Sequence, residues 1–306
     1  MLGNGRAYGN TVGDRSMKGR AMSVRLGKGL ASFGAPSVFS DSEKMRADFV
    51  YYNEGHPDNN HRDGFAAQLV YSNALHRDVT AEFGAGPYLS MNTTKINGVQ
   101  INDSNLGALL FAAVRIGLGR YAQDLHVRIA LNYVAMRDVH SSNALLFGIG
   151  KYFTEVPAYP PADFSTNPIW VGVAAGRATT NHSGTEEALS FFLEAKRYRG
   201  PWAASIAAFV EGDDGSRVNR RGIAAQGWLI QPLTDKWAVS VGVGPYVAHN
   251  ARDSGNARVL SLITLQADRS ISSTVKVFGS FSRVKTFTEK NDRDLFQIGV
   301  MKHFGG

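Results

Sequence analysis

Residues 237–248 read WAVSVGVGPYVA, and large apolar side chains alternate there with small ones. Trp237 and the valines that follow it at every second position share one face of an extended chain. Alanine, serine and glycine share the other face. Because successive side chains of a strand point to opposite sides, this alternation predicts a β-strand with one apolar face.

Part of this stretch occurs twice in the chain. VGVGPYVA (241–248) has a counterpart in FGAGPYLS (83–90), 158 positions earlier. Further segments recur in the same order, pairing HRDGFAAQ (61–68) with NRRGIAAQ (219–226), YNEG (52–55) with FVEG (209–212), and AMSVRL (21–26) with ALSFFL (188–193). These matches indicate an internal duplication of about 150 residues, and such a repeat must be recognised before a fold is assigned.

Each half contains eight alternating segments of strand length. In the first half they lie near 2–8, 21–32, 45–54, 64–73, 80–91, 106–119, 125–137 and 143–153. In the second half they lie near 169–178, 187–198, 202–211, 222–231, 236–248, 257–268, 273–285 and 294–304. The sequence therefore predicts an all-β protein of sixteen antiparallel strands.

The connections between these segments alternate between short and long. SNALHRD (72–78) and QPLTDK (231–236) are short, whereas EGHPDNNHRDG (54–64) and MNTTKINGVQINDSN (91–105) are long and polar. Short turns at one end and long polar loops at the other are typical of a transmembrane β-barrel with apolar side chains facing lipid. The alternative is a soluble β-sandwich or a lipocalin-like barrel, with the apolar side chains inside.

Two segments carry a resemblance to a known class. LLFGIGKYF (145–153) and FQIGVMKHF (296–304) resemble the C-terminal strand of bacterial outer-membrane barrels, which ends in an aromatic residue, here Phe153 and Phe304. The resemblance implies that the barrel assembly machinery recognises these strand ends. Lys151 and Lys302 depart from the pattern, which usually has a second aromatic residue there. NEGHPDNNHRDG and FSRVKTFTEKNDRD resemble an uncharacterised group of proteobacterial outer-membrane proteins, and that resemblance implies no activity.

Composition agrees with an envelope protein. The chain of 306 residues has no cysteine, which excludes disulfides and thiol chemistry, and it has no apolar run of transmembrane-helix length. We expect the bacterial outer membrane, with any signal peptide absent from this chain. The net charge of +7 is dispersed, which favours contact with lipopolysaccharide phosphates over nucleic acid. No cofactor and no metal site are expected.

Sixteen strands can form one ring or two. The halves are joined by TEVPAYPPADFSTNP (154–168), whose four prolines favour a linker over a tight turn. Each half also ends in its own aromatic strand. We therefore expect an eight-stranded barrel in residues 1–153, a linker at 154–168 and a second eight-stranded barrel in 169–306. The alternative is a single sixteen-stranded barrel acting as a diffusion pore.

Several polar residues fall on the predicted inward face, most of them in both halves. They are Glu54, Arg62, Gln68, Arg115 and Arg128 in the first half and Glu211, Arg220, Gln226 and Lys276 in the second. One interpretation is a binding or catalytic site in the lumen. The other is a structural ion-pair network, because a charge inside a narrow barrel is costly unless it is paired.

One short motif suggests an enzymatic alternative. The His-x-Ser of DVHSSNALL (138–146) resembles part of the active site of outer-membrane lipid A deacylases. By that resemblance His140 is the base and Ser142 the nucleophile. The matching stretch of the second half has neither residue type. We therefore expect a structural or envelope-interaction role, with the pore and a lipid A-modifying hydrolase as alternatives.

Overall fold

The fold is known from a computed structural model. It describes residues 1–9, 18–30, 44–55, 60–96, 99–119, 122, 124–137, 140–152, 169–182, 184–253, 257–286 and 291–304. The chain divides into two compact units, Met1–Thr154 and Glu155–Gly306. The segment predicted as a linker, 154–168, lies outside the described residues.

The first unit contains eight antiparallel strands. They are β1 (Leu2–Gly9), β2 (Lys18–Gly29), β3 (Met45–Asn53), β4 (Asn60–His76), β5 (Val79–Ile96), β6 (Val99–Gly117), β7 (Leu125–Met136) and β8 (Ser142–Lys151). Each strand pairs with its neighbour in sequence, and β8 pairs back onto β1, with Ile149 opposite Leu2. This closed sheet is barrel 1.

The second unit repeats the arrangement. Its strands are β9 (Ile169–His182), β10 (Gly184–Arg199), β11 (Trp202–Asp213), β12 (Asn219–Pro232), β13 (Trp237–Asn250), β14 (Arg258–Ser270), β15 (Val275–Lys285) and β16 (Arg293–Phe304). Here β16 pairs with β9, with Phe304 opposite Ile169. This closed sheet is barrel 2.

The predicted fold class is confirmed, since the chain is all-β and antiparallel with two closed eight-stranded barrels. The alternative of one sixteen-stranded ring is wrong because β8 bonds to β1 and not to β9. Closure of each half satisfies the backbone groups of its own first and last strands, so neither barrel has an open edge.

One predicted loop is largely strand. We expected residues 91–105 to form a long polar connection, whereas β5 and β6 pair across it as far as Ile96 and Val99. The segment includes the β-branched residues Thr93, Thr94 and Ile101, and residues of this type favour extended backbone. Residues 97–98 lie outside the described residues.

The two ends of each barrel differ. The turn end is the end that carries Arg77–Asp78 in barrel 1 and Gly200–Pro201 in barrel 2. The loop end is the opposite one, where β3 is followed by Glu54 and β11 by Asp214. The connection 30–44 between β2 and β3 is longer than the other connections at the turn end, and its residues 31–43 lie outside the described part of the chain.

The interior of each barrel is filled by side chains. Buried apolar side chains of barrel 1 include Tyr52, Tyr88 and Phe111. Those of barrel 2 include Trp170, Phe192, Phe209, Trp228, Tyr246 and Phe278. An eight-stranded barrel is just wide enough for its interior to be filled in this way.

Candidate functional site

Polar side chains meet inside barrel 1 at its loop end. Arg62 donates hydrogen bonds to the Glu54 carboxylate, to Ser142 Oγ and, at 2.6 Å, to the carbonyl oxygen of His140. Ser142 Oγ in turn donates to Glu54. Glu54, Arg62 and Ser142 are all almost completely buried. The three side chains form a closed network, which we call the mouth triad.

Each glutamate continues the inward alternation of its strand, and the backbone changes direction directly after it. Glu54 is followed by Gly55, which has a positive φ of 81°, and Glu211 by Gly212, with φ of 77°. In β11 the pairing register shifts between Val210 and Gly212, so Glu211 lies at a β-bulge. A Cβ at Gly212 would also lie 2.2 Å from the Leu189 carbonyl oxygen. The repeated Glu-Gly pair is therefore the sequence signal for this site.

Barrel 2 has an equivalent ion pair. Arg220 Nε donates to Glu211 Oε1 at 2.6 Å, and its Nη2 donates to Glu211 Oε2 at 2.8 Å. Arg293 takes the position of Ser142 in the aligned repeats but makes a different contact, since its Nη1 donates to the backbone carbonyl oxygens of Glu211 and Gly212. Arg293 is fully buried, and the repeat did not predict it because its position has no charged counterpart in the first half.

The loop beside this pair is ordered by Asp214. Its carboxylate accepts hydrogen bonds from the backbone N–H groups of Val218, Arg217 and Ser216 and from the Thr180 hydroxyl. Burial opposes ionisation, but these donors outweigh it and lower the pKa of Asp214 below its ordinary value. The connection between β11 and β12 is therefore stabilised by charge-assisted hydrogen bonds.

The turn end of barrel 1 holds four arginines around two carboxylates. This arginine cluster comprises Arg25, Arg46, Arg115, Arg128, Asp48 and Glu82. Glu82 meets three of the cations: its Oε1 lies 2.8 Å from Arg46 Nη1 and 3.1 Å from Arg115 Nη1, and its Oε2 accepts from Arg128 Nε at 2.8 Å.

The second carboxylate, Asp48, binds the remaining arginine. Arg25 Nη1 donates to Asp48 Oδ2 at 2.7 Å and to Gln68 Oε1 at 2.6 Å. The guanidinium carbons of Arg25 and Arg128 lie 4.4 and 4.3 Å from the centre of the Phe111 ring. Gln68 also donates to the Leu109 carbonyl oxygen at 2.7 Å. Three predicted residues, Gln68, Arg115 and Arg128, thus belong to one network.

Sequence reasoning missed four members of the arginine cluster. Alternation places Arg25, Arg46, Asp48 and Glu82 on the inward face, but the prediction relied mostly on residues that recur in both halves. Arg25 corresponds to Phe192 and Glu82 to Ser240 in the aligned repeats, so these charges do not recur. The parity of each charged residue along its strand was the signal that could have found them.

Barrel 2 has lysines and aromatic rings in place of the arginine cluster. Lys276 Nζ donates to Tyr198 Oη at 2.5 Å and lies 4.3 Å from the centre of the Trp170 ring. Lys196 Nζ lies 3.3 Å from the centre of the Trp228 ring and 3.2 Å from Glu194 Oε2. A second carboxylate, that of Asp268, lies 3.9 Å from Lys276 Nζ. The two lysines thus face two carboxylates. Gln226 lies in the same interior and donates to Thr264 Oγ1 at 3.1 Å.

The predicted His140–Ser142 dyad is not the contact that the structure gives to Ser142. Among the described residues, Ser142 Oγ hydrogen bonds with Glu54 and Arg62, and no hydrogen bond joins it to the His140 ring. His140 contributes its carbonyl oxygen to Arg62. The catalytic assignment of His140 and Ser142 stays a prediction.

The structure also bears on the strand ends, on metal binding and on membrane-spanning helices. Phe304 ends β16 with its ring more than half exposed, whereas Phe153 lies outside the described residues. No group of three or more metal-ligating side chains occurs in the described part of the chain. No helix among the described residues has the length and apolar character required to cross a membrane.

The exteriors of the barrels are apolar. Barrel 1 exposes leucine, isoleucine and phenylalanine side chains from neighbouring strands: Leu69, Phe83, Leu106, Ile129, Leu131, Leu145, Phe147 and Ile149. Barrel 2 exposes Val173, Leu189, Phe191, Leu193, Ile206, Ile223, Val243, Phe296 and Ile298. The exposed rings of Trp202, Trp237 and Phe304 lie at its turn end. Apolar exteriors with aromatic residues at the strand ends define a transmembrane β-barrel.

The chain is similar to known proteins only at low sequence identity among the solved structures described below. No protein-family model and no curated protein matches the chain. Among solved structures it is similar to the KdgM porin, at 6% identity over 99% of this chain and 98% of that one, with a TM-score of 0.21. It is also similar to the NanC porin, at 7% identity over 99% of both chains, with a TM-score of 0.22.

A third similar structure is the translocator domain of the autotransporter NalP from Neisseria meningitidis. It is 10% identical over 99% of this chain and 86% of that one, with a TM-score of 0.21. At such TM-scores none of these likenesses extends to the arrangement of the whole chain. The two-barrel fold is therefore defined by the strand pairing of this chain.

Proposed function

We propose that this chain is a bacterial outer-membrane protein whose two filled barrels have a structural or envelope-interaction role and do not form diffusion pores. The observation that carries this proposal is the packed interior. In barrel 1 the aromatic rings of Tyr52, Tyr88 and Phe111 and the arginine cluster occupy the lumen. In the part of the chain that the structure describes, an interior filled with charged side chains and aromatic rings leaves no continuous water column of the kind that a porin has.

The apolar exterior supports the membrane location. A soluble protein rarely exposes so large a contiguous apolar surface, whereas lipid chains cover it at no cost. The soluble sandwich and lipocalin-like alternatives would place these side chains inside, and here they lie outside. Cysteine-free composition agrees with passage through an oxidising compartment.

The proposed partners follow from the ends of the barrels. Exposed arginines at the loop end, including Arg20, Arg221 and Arg252, could donate to lipopolysaccharide phosphates if this end faces the outer leaflet. The exposed aromatic end of β16, Phe304, is proposed as the contact for the barrel assembly machinery. The resemblance to an uncharacterised proteobacterial group remains part of this proposal.

Conductance tests the non-porin role directly. Protein refolded in detergent and inserted into planar bilayers is expected to give no stable open current, because the interior of each barrel is occupied. The matched variant combines Arg62→Ala with Glu54→Ala and so removes the two charged side chains of the mouth triad of barrel 1. Stable channels of the wild-type protein with reproducible conductance would overturn the proposal.

A further inference from the structure

The arginine cluster of barrel 1 carries more positive charge than its own carboxylates neutralise. Among the described residues, the carboxylates of Asp48 and Glu82 pair with the guanidinium groups of Arg25, Arg46, Arg115 and Arg128, which leaves an excess of two positive charges in the cluster. Uncompensated charges are costly in a narrow interior, so ion pairing within the cluster alone does not explain it.

The cluster also keeps unused hydrogen-bond donors. Arg25 and Arg128 are more than nine-tenths buried, and Arg25 Nε and Arg128 Nη2 have no hydrogen-bond partner among the described residues. The adjoining His126 is buried too, and its Nδ1 has no partner in the described part of the chain. Buried donors without an acceptor are rare in folded proteins and need an explanation.

The cluster is open at one side. The Arg46 and Arg115 side chains keep 19% and 17% of their surface exposed, whereas those of Arg25 and Arg128 keep 4% and 2%. Arg115 lies directly opposite Arg128 in the β6–β7 pairing, so a partly exposed arginine adjoins a buried one that has a spare donor. A solute arriving at the turn end therefore meets Arg115 and Arg46 first.

We propose that this turn end binds a small oxyanion of the phosphate class, with Arg115 and Arg128 as the donors and Arg46 and Arg25 supplying further positive charge. Guanidinium groups match the geometry of an oxyanion because their N–H donors form a planar fork. Barrel 2 shows the contrast, since its Lys196 and Lys276 face two carboxylates and, among the described residues, these four groups carry no excess charge.

Binding of inorganic phosphate to the full chain in detergent micelles tests the proposal. Equilibrium dialysis at constant ionic strength, with chloride as the balancing anion, is expected to show one saturable site per chain. Arg115→Gln is expected to weaken binding at least about tenfold, because it removes a charged donor. Glu82→Gln is expected to strengthen binding, since it removes the carboxylate that competes for three arginines.

The controls separate this site from surface binding. Arg269→Gln removes an exposed guanidinium from barrel 2, beside Trp237, and is expected to leave phosphate binding unchanged. The β-sheet circular dichroism spectrum verifies that each variant folds, and Arg46→Gln replaces Arg115→Gln if the latter does not. The protein is also titrated with micelles that contain an anionic phospholipid and no free phosphate. This titration tests whether the site binds a lipid headgroup or a free anion.

The phosphate-binding measurements on the wild-type protein and its variants either support or overturn the proposed oxyanion site. A saturable site lost in Arg115→Gln or Arg46→Gln, retained in Arg269→Gln and strengthened in Glu82→Gln supports the proposal. Absence of saturable binding to the wild-type protein overturns it, and so does binding that is insensitive to both cluster variants. Since none of these measurements concerns conductance, the result stands independently of the proposed non-porin role.

Discussion

Inside barrel 1, Arg62 donates a hydrogen bond to the carboxylate of Glu54, which lies eight positions earlier in the chain. Both side chains are about 99% buried, so neither charge can be compensated by water. Removing one partner of such a pair leaves an uncompensated buried charge, whereas removing both leaves none.

We therefore predict that Arg62→Met lowers the free energy of unfolding by about 3–5 kcal/mol. The double change Glu54→Gln with Arg62→Met is expected to recover most of that loss. Urea titration in detergent, followed by circular dichroism, measures both. The matched control is Arg177→Gln, which breaks the exposed pair with Glu187 and should cost no more than about 1 kcal/mol. Equal losses for the two single variants would contradict the assignment of the mouth triad as a buried network.

The second prediction uses the position of the tryptophans. All four lie in the second half of the chain, at 170, 202, 228 and 237, so tryptophan fluorescence reports on barrel 2 alone. Because the chain divides into two compact units, we expect each barrel to unfold by itself. Arg220→Met should lower the urea midpoint of the fluorescence transition, and Arg62→Met should leave it unchanged. A shift of similar size in both variants would show that the barrels unfold as one unit.

The third prediction concerns a glycine beneath Trp228. A Cβ at Gly242 would lie 2.7 Å from two atoms of the Trp228 ring, whereas a Cβ at Gly227 would have no atom within 4 Å. The ring cannot move freely, since Trp228 Nε1 donates to Ser205 Oγ at 2.8 Å. Gly242→Ala is therefore expected to cost about 1–3 kcal/mol through overpacking. Gly227→Ala should change stability by less than about 1 kcal/mol, and equal effects of the two changes would refute the packing argument.

Much of this architecture could be predicted from the sequence because alternation and repetition are local signals. The duplication located eight strands in each half, and parity placed Glu54, Arg62 and Arg128 on the inward face. Closure of each barrel was harder to predict, since it depends on which distant strands pair, as Leu2 does with Ile149. Arg25 and Glu82 were missed for a different reason: side chains that act in only one barrel leave no trace in a comparison of the repeats.

The last prediction decides between two roles for Ser142. Its hydroxyl is buried and hydrogen bonds with Glu54 and Arg62, which describes a structural residue. Ser142→Ala is then expected to lower the stability of barrel 1 by about 1–3 kcal/mol, because Glu54 and Arg62 each lose a buried partner. His140→Ala should cost less than about 1 kcal/mol, since the Arg62 hydrogen bond uses the backbone carbonyl and survives the change.

The hydrolase hypothesis predicts a different result for the same two variants. A base and a nucleophile act together, so His140→Ala and Ser142→Ala should abolish acyl-chain release equally while differing in stability. Mass spectrometry of lipid A from cells that express the wild-type chain, either variant or an empty vector measures this release. On the structural interpretation the four spectra are identical and only Ser142→Ala lowers the urea midpoint. Shortened lipid A in the wild-type sample alone would instead establish His140 and Ser142 as catalytic, and the mouth triad would then be the network that holds the nucleophile.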